Sequence, residues 1–150
     1  MKHSESEIEF QNFAARNGVD LAQSTPLQGL SQMMDFYHQV EAEGCQDSEH
    51  DMLLYEWGTY VWDGDIFGLG FVRQFIATDP SGGEAVVMSQ LSLKYRFAPH
   101  PDFKALASGN RWMDDPSRFA EWRDFVLSSP AFLAVADRRD AEVELLYYEI

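Results

Sequence analysis

Three consecutive segments with a two-residue period constrain the fold of this chain more than any other feature of its sequence. Residues 52–62, 66–76 and 85–97 are rich in aromatic and β-branched side chains, which is typical of strands. Turn residues separate them, with Asp63-Gly64-Asp65 after the first segment and Asp79-Pro80-Ser81-Gly82-Gly83 after the second. The pattern predicts an antiparallel meander of three strands.

Tight turns also predict the register, and the register sorts the side chains onto two faces. Trp57, Phe71 and Leu93 are expected to be buried together on one face. We expect the ring of Tyr60 to cover a strand glycine on the other face, where Lys94 approaches it as a cation. That second face is predicted to carry Glu56, Tyr60, Trp62, Gly68, Gly70, Gln74, Gln90, Ser92, Lys94 and Arg96.

Helical patterns flank the meander. A first helix is expected after Ser4, ending at Asn17-Gly18, and a second after Thr25-Pro26, where apolar residues recur at three- and four-residue spacing. Two further helices are expected after Ser117 and, through about residue 136, after Ser129-Pro130.

The remaining segments complete the predicted architecture. Residues 102–115 are irregular, with Gly109-Asn110 as an expected turn, whereas 141–150 alternates acidic and apolar residues as a terminal strand does. We predict a single α+β domain over residues 1–150, in which a four-stranded, mainly antiparallel sheet carries helices on one face.

Charge is the most unusual compositional feature. The 150 residues have a formal net charge of −14, and residues 17–72 contain ten acidic residues and no lysine or arginine. Direct binding to nucleic acid is not expected, because phosphate contacts need a basic face. No apolar run is long enough to span a membrane, and no apolar stretch follows the N-terminus, so we expect a cytoplasmic protein.

The residues that carry chemistry form no recognised catalytic or metal-binding pattern. The four histidines have no zinc-site spacing, and the only cysteine, Cys45, lies among carboxylates that disfavour a thiolate. Gly68-Leu69-Gly70 is followed by neither a third glycine nor a helix start, which a phosphate loop requires. We therefore predict no enzymatic activity, no cofactor and no metal.

The acid-rich segment at 41–51 has two interpretations. It is either a solvated surface or a surface that attracts a basic protein partner and raises the association rate. Under the second interpretation, Trp62, Asp63 and Asp65 at the hairpin tip make the contacts that govern the dissociation rate. The predicted partner-binding residues are Glu41, Glu43, Asp47, Glu49, Asp51, Trp62, Asp63 and Asp65.

The polar face of the meander offers an alternative site. Its side chains either form a shallow surface that binds a small molecule, as in a ligand-binding domain or small enzyme, or lie on a solvated sheet face. The alternative ligand-binding residues are Glu56, Tyr60, Gln90, Lys94 and Arg96.

One stretch of the sequence resembles a known class of protein. Tyr55-Glu56-Trp57-Gly58-Thr59-Tyr60, continuing through Asp63-Gly64 to Arg73-Gln74-Phe75, is similar to a segment of small bacterial immunity proteins. These are encoded beside secreted antibacterial toxins, including type VI secretion effectors, and the resemblance lies mainly within residues 52–97. It implies a cytoplasmic inhibitor that blocks the active site of one cognate toxin. A basic toxin acting on nucleotides or nucleic acid fits the acidic composition; the resemblance assigns no binding residues.

Overall fold

The three predicted strands form the centre of a five-stranded antiparallel sheet in a computed structural model of the chain. Strand β1 spans His50–Trp62, β2 spans Ile66–Thr78 and β3 spans Glu84–Arg96. The structure describes residues 2–42, 50–62, 65–78, 81–98, 105–106, 108–113 and 119–149.

The predicted register of the meander is confirmed. Trp57 pairs with Phe71, which in turn pairs with Leu91, and an irregularity between His50 and Met52 interrupts the pairing of β1 with β2. Phe71 and Leu93 are fully buried, as predicted. The side chain of Trp57 lies outside the described part of the chain.

The sheet has five strands, so the prediction of four was wrong. Strand β4 spans Gly109–Met113 and pairs with β1, while β5 spans Glu142–Glu149 and pairs with β3, which gives the order β4-β1-β2-β3-β5. The predicted terminal strand is confirmed, but the predicted turn at Gly109-Asn110 is wrong. Those two residues favour a turn locally, whereas pairing with Thr59 and Gly58 holds them in an extended conformation.

Four α-helices and one short 3₁₀ helix accompany the sheet in the described part of the chain. Helix α1 spans Lys2–Arg16, the 3₁₀ helix Leu21–Gln23, α2 Pro26–Ala42, α3 Phe119–Leu127 and α4 Pro130–Leu133. None of these helices combines the length and the apolar character needed to cross a membrane.

The helix boundaries follow local capping in part. The backbone N–H of Gln28 donates to Thr25 Oγ1 at 3.2 Å, and the Gln28 side chain accepts from the N–H of Thr25 at 2.9 Å, so a capping box begins α2 as its Thr-Pro signal predicts. Gly18, with a φ of 76°, follows the end of α1. The predicted cap at Ser4 is wrong, because α1 already begins at Lys2. Helix α4 is shorter than predicted, since Ala134 and the residues after it form turns.

The core lies between the helices and one face of the sheet. The ring of Tyr37 from α2 stacks on Phe71 at 3.8 Å between centroids, and Phe119 from α3 approaches Phe71 at 6.3 Å. Trp122 and Phe132 add fully buried rings from α3 and α4. These aromatic contacts hold the helices against the centre of the meander.

Tyr95 is a buried polar residue within this core. Its hydroxyl donates to the carbonyl of Thr25 at 3.2 Å and lies 2.9 Å from Ser24 Oγ, which ties β3 to the start of α2. Burial raises the pKa of the Tyr95 hydroxyl above its ordinary value, and the hydrogen bond with Ser24 opposes that rise only in part.

Helix α1 protects an outer edge of the sheet. The backbone N–H of Tyr147, in edge strand β5, donates to the Glu7 carboxylate of α1 at 3.1 Å. An edge strand otherwise presents unpaired backbone groups, and this contact satisfies one of them.

We expect Phe71→Ala to lower the free energy of unfolding by about 3–5 kcal/mol, because the substitution leaves a cavity beneath Tyr37 and Phe119. Leu133→Ala is the matched control, since Leu133 is 62% exposed, and should change stability by less than about 0.5 kcal/mol. Urea denaturation of both variants measures the difference. Equal stabilities would contradict the position assigned to Phe71.

Tyr95→Phe should make the stability of the protein less sensitive to alkaline pH. Because burial raises the pKa of Tyr95 in the folded state, the unfolded chain loses this proton first, and folding stability falls as pH rises past 10, the ordinary tyrosine value. The variant lacks this contribution, so its deficit relative to the wild type at pH 7 should narrow at pH 11. Urea midpoints at the two pH values test this, and a constant deficit would argue against it.

Candidate functional site

The second sheet face is the one that the sequence predicts to be polar. Residues paired across antiparallel strands share a face, and the helices cluster with Phe67, Leu69, Phe71 and their neighbours. The described helices therefore pack on that side, and we call the opposite side the helix-free face. By register, it carries Asn110 and Trp112 of β4, Glu56, Gly58, Tyr60 and Trp62 of β1, Ile66, Gly68, Gly70, Val72 and Gln74 of β2, Met88, Gln90, Ser92, Lys94 and Arg96 of β3, and Glu142, Glu144, Leu146 and Tyr148 of β5.

The ring of Tyr60 lies along the sheet over two glycines. Its Cε2 atom is 3.2 Å from the position that a Cβ atom would occupy at Gly70, and its hydroxyl is 3.0 Å from the corresponding position at Gly58. An aromatic ring therefore covers strand glycines, as predicted. Tyr60 pairs with Gly68, the predicted cross-strand partner, yet its ring extends towards Gly58 and Gly70.

This ring conformation brings Tyr60 to Glu56. The Tyr60 hydroxyl donates to Glu56 Oε1 at 2.8 Å, although the two residues are four positions apart on an extended strand. Since alternate residues of a strand share a face, only Gly58 separates them there, and it has no side chain to intervene. Glu56 is 7% exposed, which is unusual for a carboxylate on a face without helices.

Gln90 and Ser92 continue this polar group across the sheet. Gln90 Nε2 donates to Ser92 Oγ at 3.0 Å, and both side chains border Gly70 opposite Tyr60. Three of the five alternative ligand-binding residues, Glu56, Tyr60 and Gln90, are thus gathered around the two glycines.

The other two alternative residues belong to a separate group. Lys94 pairs with Glu144 and Arg96 with Glu142 across β3 and β5, so opposite charges face each other. With Ile66 and Val143, these four residues line an open cavity of about 180 Å³. The structure therefore divides the predicted ligand site into two parts, and small-molecule binding stays a prediction.

The predicted partner-binding residues also separate into two groups. Glu41 lies in the last turn of α2 and Asp51 near the start of β1, whereas Trp62 ends β1. Asp65 precedes β2, and its carbonyl accepts from the N–H of Phe97 at 2.9 Å. Glu43, Asp47, Glu49 and Asp63 lie outside the described residues.

The length of β1 determines how far apart these groups are. At about 3.4 Å per residue, Asp51 and Trp62 lie roughly 35–40 Å apart. Asp51 and Trp62 are therefore at opposite ends of β1. A partner that contacts both must extend along the full strand.

Sequence reasoning missed the apolar part of the helix-free face. Val72 is 7% exposed on this face and pairs with both Glu56 and Gln90, although the predicted polar set omitted it. Trp112 and Leu146 are on strands whose pairing partners the sequence did not indicate. The alternation in 141–150 was the available signal for β5, but nothing local indicated which edge of the meander it joins.

Comparisons with known proteins identify no relative of this chain. No protein-family model, no curated protein and no solved structure matches this chain. The resemblance to immunity proteins therefore stays a prediction, as do the absence of enzymatic activity and of a cofactor.

Gly58→Ala should destabilise the protein and displace Tyr60 from Glu56. A Cβ atom there would lie 2.8 Å from Asn110 Cβ and 3.0 Å from the carbonyl oxygen of Gly109, so backbone must move. We expect the free energy of unfolding to fall by about 1–3 kcal/mol. Gly109→Ala on the adjacent strand is the control, because its nearest neighbour, Phe125, would be at an ordinary 3.5 Å. Thermal denaturation and tyrosine fluorescence compare the two, and equal effects would refute the close contact at Gly58.

Proposed function

We propose that this chain is an immunity-type inhibitor that binds and occludes a cognate basic bacterial toxin acting on nucleotides or nucleic acid. The observation that carries the proposal is the distribution of charge: residues 17–72 contain ten acidic residues and no lysine or arginine. This segment includes α2, β1 and the first half of β2, so one continuous part of the fold supplies the excess negative charge.

An acidic surface of this kind suits a basic partner. Enzymes that act on nucleic acid need positive charge to contact phosphates, and an acidic protein can occupy such a cleft without performing chemistry. Complementary charge also speeds diffusional encounter and disfavours partners of the wrong sign. The inhibitor then needs no catalytic residues of its own.

The resemblance to immunity proteins points in the same direction. The segment that carries it, from Tyr55 to Phe75, belongs to the β1–β2 hairpin. Such an inhibitor acts in the cytoplasm of the cell that makes the toxin, where it protects that cell from its own product. Direct binding to nucleic acid or membrane has no part in this proposal.

The two groups of predicted partner-binding residues have different roles here. The acid-rich segment at 41–51 attracts the toxin over a distance, which acts on the association rate. Trp62, Asp63 and Asp65 at the hairpin tip make short-range contacts, which act on the dissociation rate. Because Asp51 and Trp62 lie at opposite ends of β1, the toxin need not contact both at once.

Replacing Glu43, Asp47, Glu49 and Asp51 by their amides should slow association with the toxin about tenfold at low salt. The binding partner is the purified, active-site-disabled product of the adjacent reading frame, and stopped-flow association is measured at two salt concentrations. The melting temperature is also measured, and a nearly unchanged value is the expected result, because solvated charges contribute little to folding.

A control variant separates local from overall charge. Glu9, Asp35, Asp124 and Asp137 are exposed acids outside the acid-rich segment, and replacing them by amides changes the net charge equally. This control should retain most of the association rate and its salt dependence. Equal association rates for the two variants would show that the acid-rich segment has no special role in attracting the toxin. Failure of the wild-type protein to bind or inhibit the toxin would refute the proposed function.

A further inference from the structure

Glu56 is a nine-tenths buried carboxylate with no counter-charge among the described residues. The Tyr60 hydroxyl is its hydrogen-bond donor, and no lysine or arginine of the described residues forms an ion pair with it. Buried carboxylates are rare unless they are paired, because removing a charge from water is costly. The contacts within the described residues therefore give no structural reason for burying the Glu56 carboxylate.

The other described charges on the helix-free face do not compensate the negative charge of Glu56. Lys94 and Arg96, the described cations on the helix-free face, stand directly opposite Glu144 and Glu142 in the register. When Glu56 is excluded, the described positive and negative charges of this face are therefore equal in number. Val72 and Gln90 follow Glu56 in the same row across β2 and β3, and neither carries a charge.

We propose that the helix-free face is the toxin-binding surface and that Glu56 accepts an arginine side chain of the toxin. This inference rests on the proposed function and identifies where the inhibitor makes its central contact. None of the described helices packs on this face, and the unbalanced charge among its described residues is negative, which complements a basic protein. A cation arriving with the toxin supplies the partner that Glu56 lacks in the free protein.

Arginine fits this position better than lysine. Its guanidinium is planar, weakly hydrated and able to donate two parallel hydrogen bonds to a carboxylate, whereas the lysine ammonium is compact and strongly hydrated. Tyr60 uses one acceptor site of Oε1, which leaves the other site of Oε1 and both sites of Oε2 for the two N–H groups of the guanidinium. Tyr60 also holds the carboxylate in place before the toxin arrives, so less ordering is needed on binding.

In this role, the Glu56 carboxylate lowers the folding stability of the free inhibitor and stabilises its complex with the toxin. Glu56→Gln preserves size and an oxygen for the Tyr60 hydroxyl, yet it removes the buried charge. The melting temperature of the free variant should therefore be equal to or above that of the wild type. Its dissociation from the toxin should be faster by about 30-fold or more, because the toxin's guanidinium then lacks its ionic partner.

The experiment compares Glu56→Gln with Glu9→Gln by surface-based binding kinetics. Both variants lose one negative charge, but Glu9 is an exposed residue of helix α1 and lies outside the helix-free face. The immobilised protein is the active-site-disabled product of the adjacent reading frame, and the free inhibitors are also melted without it. We expect both variants to associate at similar rates and only Glu56→Gln to dissociate faster.

Three other outcomes have separate meanings. If the wild type binds and Glu56→Gln dissociates no faster than Glu9→Gln, this inference is overturned while the proposed function stands. A clearly lowered melting temperature for Glu56→Gln would show that the carboxylate stabilises the fold, which also overturns the inference. If the wild type itself does not bind, the proposed function falls and this inference falls with it.

Discussion

The register of the three central strands is the constraint on which the rest of the structure depends. Each strand has thirteen residues, and a slip of one position would move every side chain to the other face. The existing register places Phe67, Leu69 and Phe71 against the helices and Glu56 and Tyr60 away from them. Both the core and the helix-free face therefore follow from the same pairing.

The two faces are stabilised by different means. On the helix side, aromatic rings from three helices converge on β2, and the stacking of Tyr37 on Phe71 lies at their centre. On the helix-free side, a ring from the sheet itself covers the backbone, because Gly58 and Gly70 leave room for Tyr60. This ring thereby buries part of the second face, on which none of the described helices packs.

That arrangement also connects stability to the proposed binding function. Covering the glycines with Tyr60 brings a hydroxyl to Glu56 and holds a carboxylate at a largely dry position. A protein selected for stability alone gains little from such a group, whereas a protein that must recognise a basic partner gains specificity from it. In the proposed function, the acid-rich segment attracts the toxin and Glu56 recognises it, so the two roles belong to different parts of the sequence.

The sequence by itself determined the elements in which local signals and long-range packing agree. The meander, its register, the start of α2 and the terminal strand all follow from periodicity, turn residues and capping. The sequence did not predict strand β4, because Gly109-Asn110 locally favours a turn and only pairing with β1 holds these residues extended. The sequence also indicated that Glu56 and Tyr60 share a face. Only the tertiary structure decided that Tyr60 reaches back over Gly58 to Glu56, and that Glu56 is buried with no counter-charge among the described residues. Side-chain direction and burial depend on neighbouring strands that are distant in sequence.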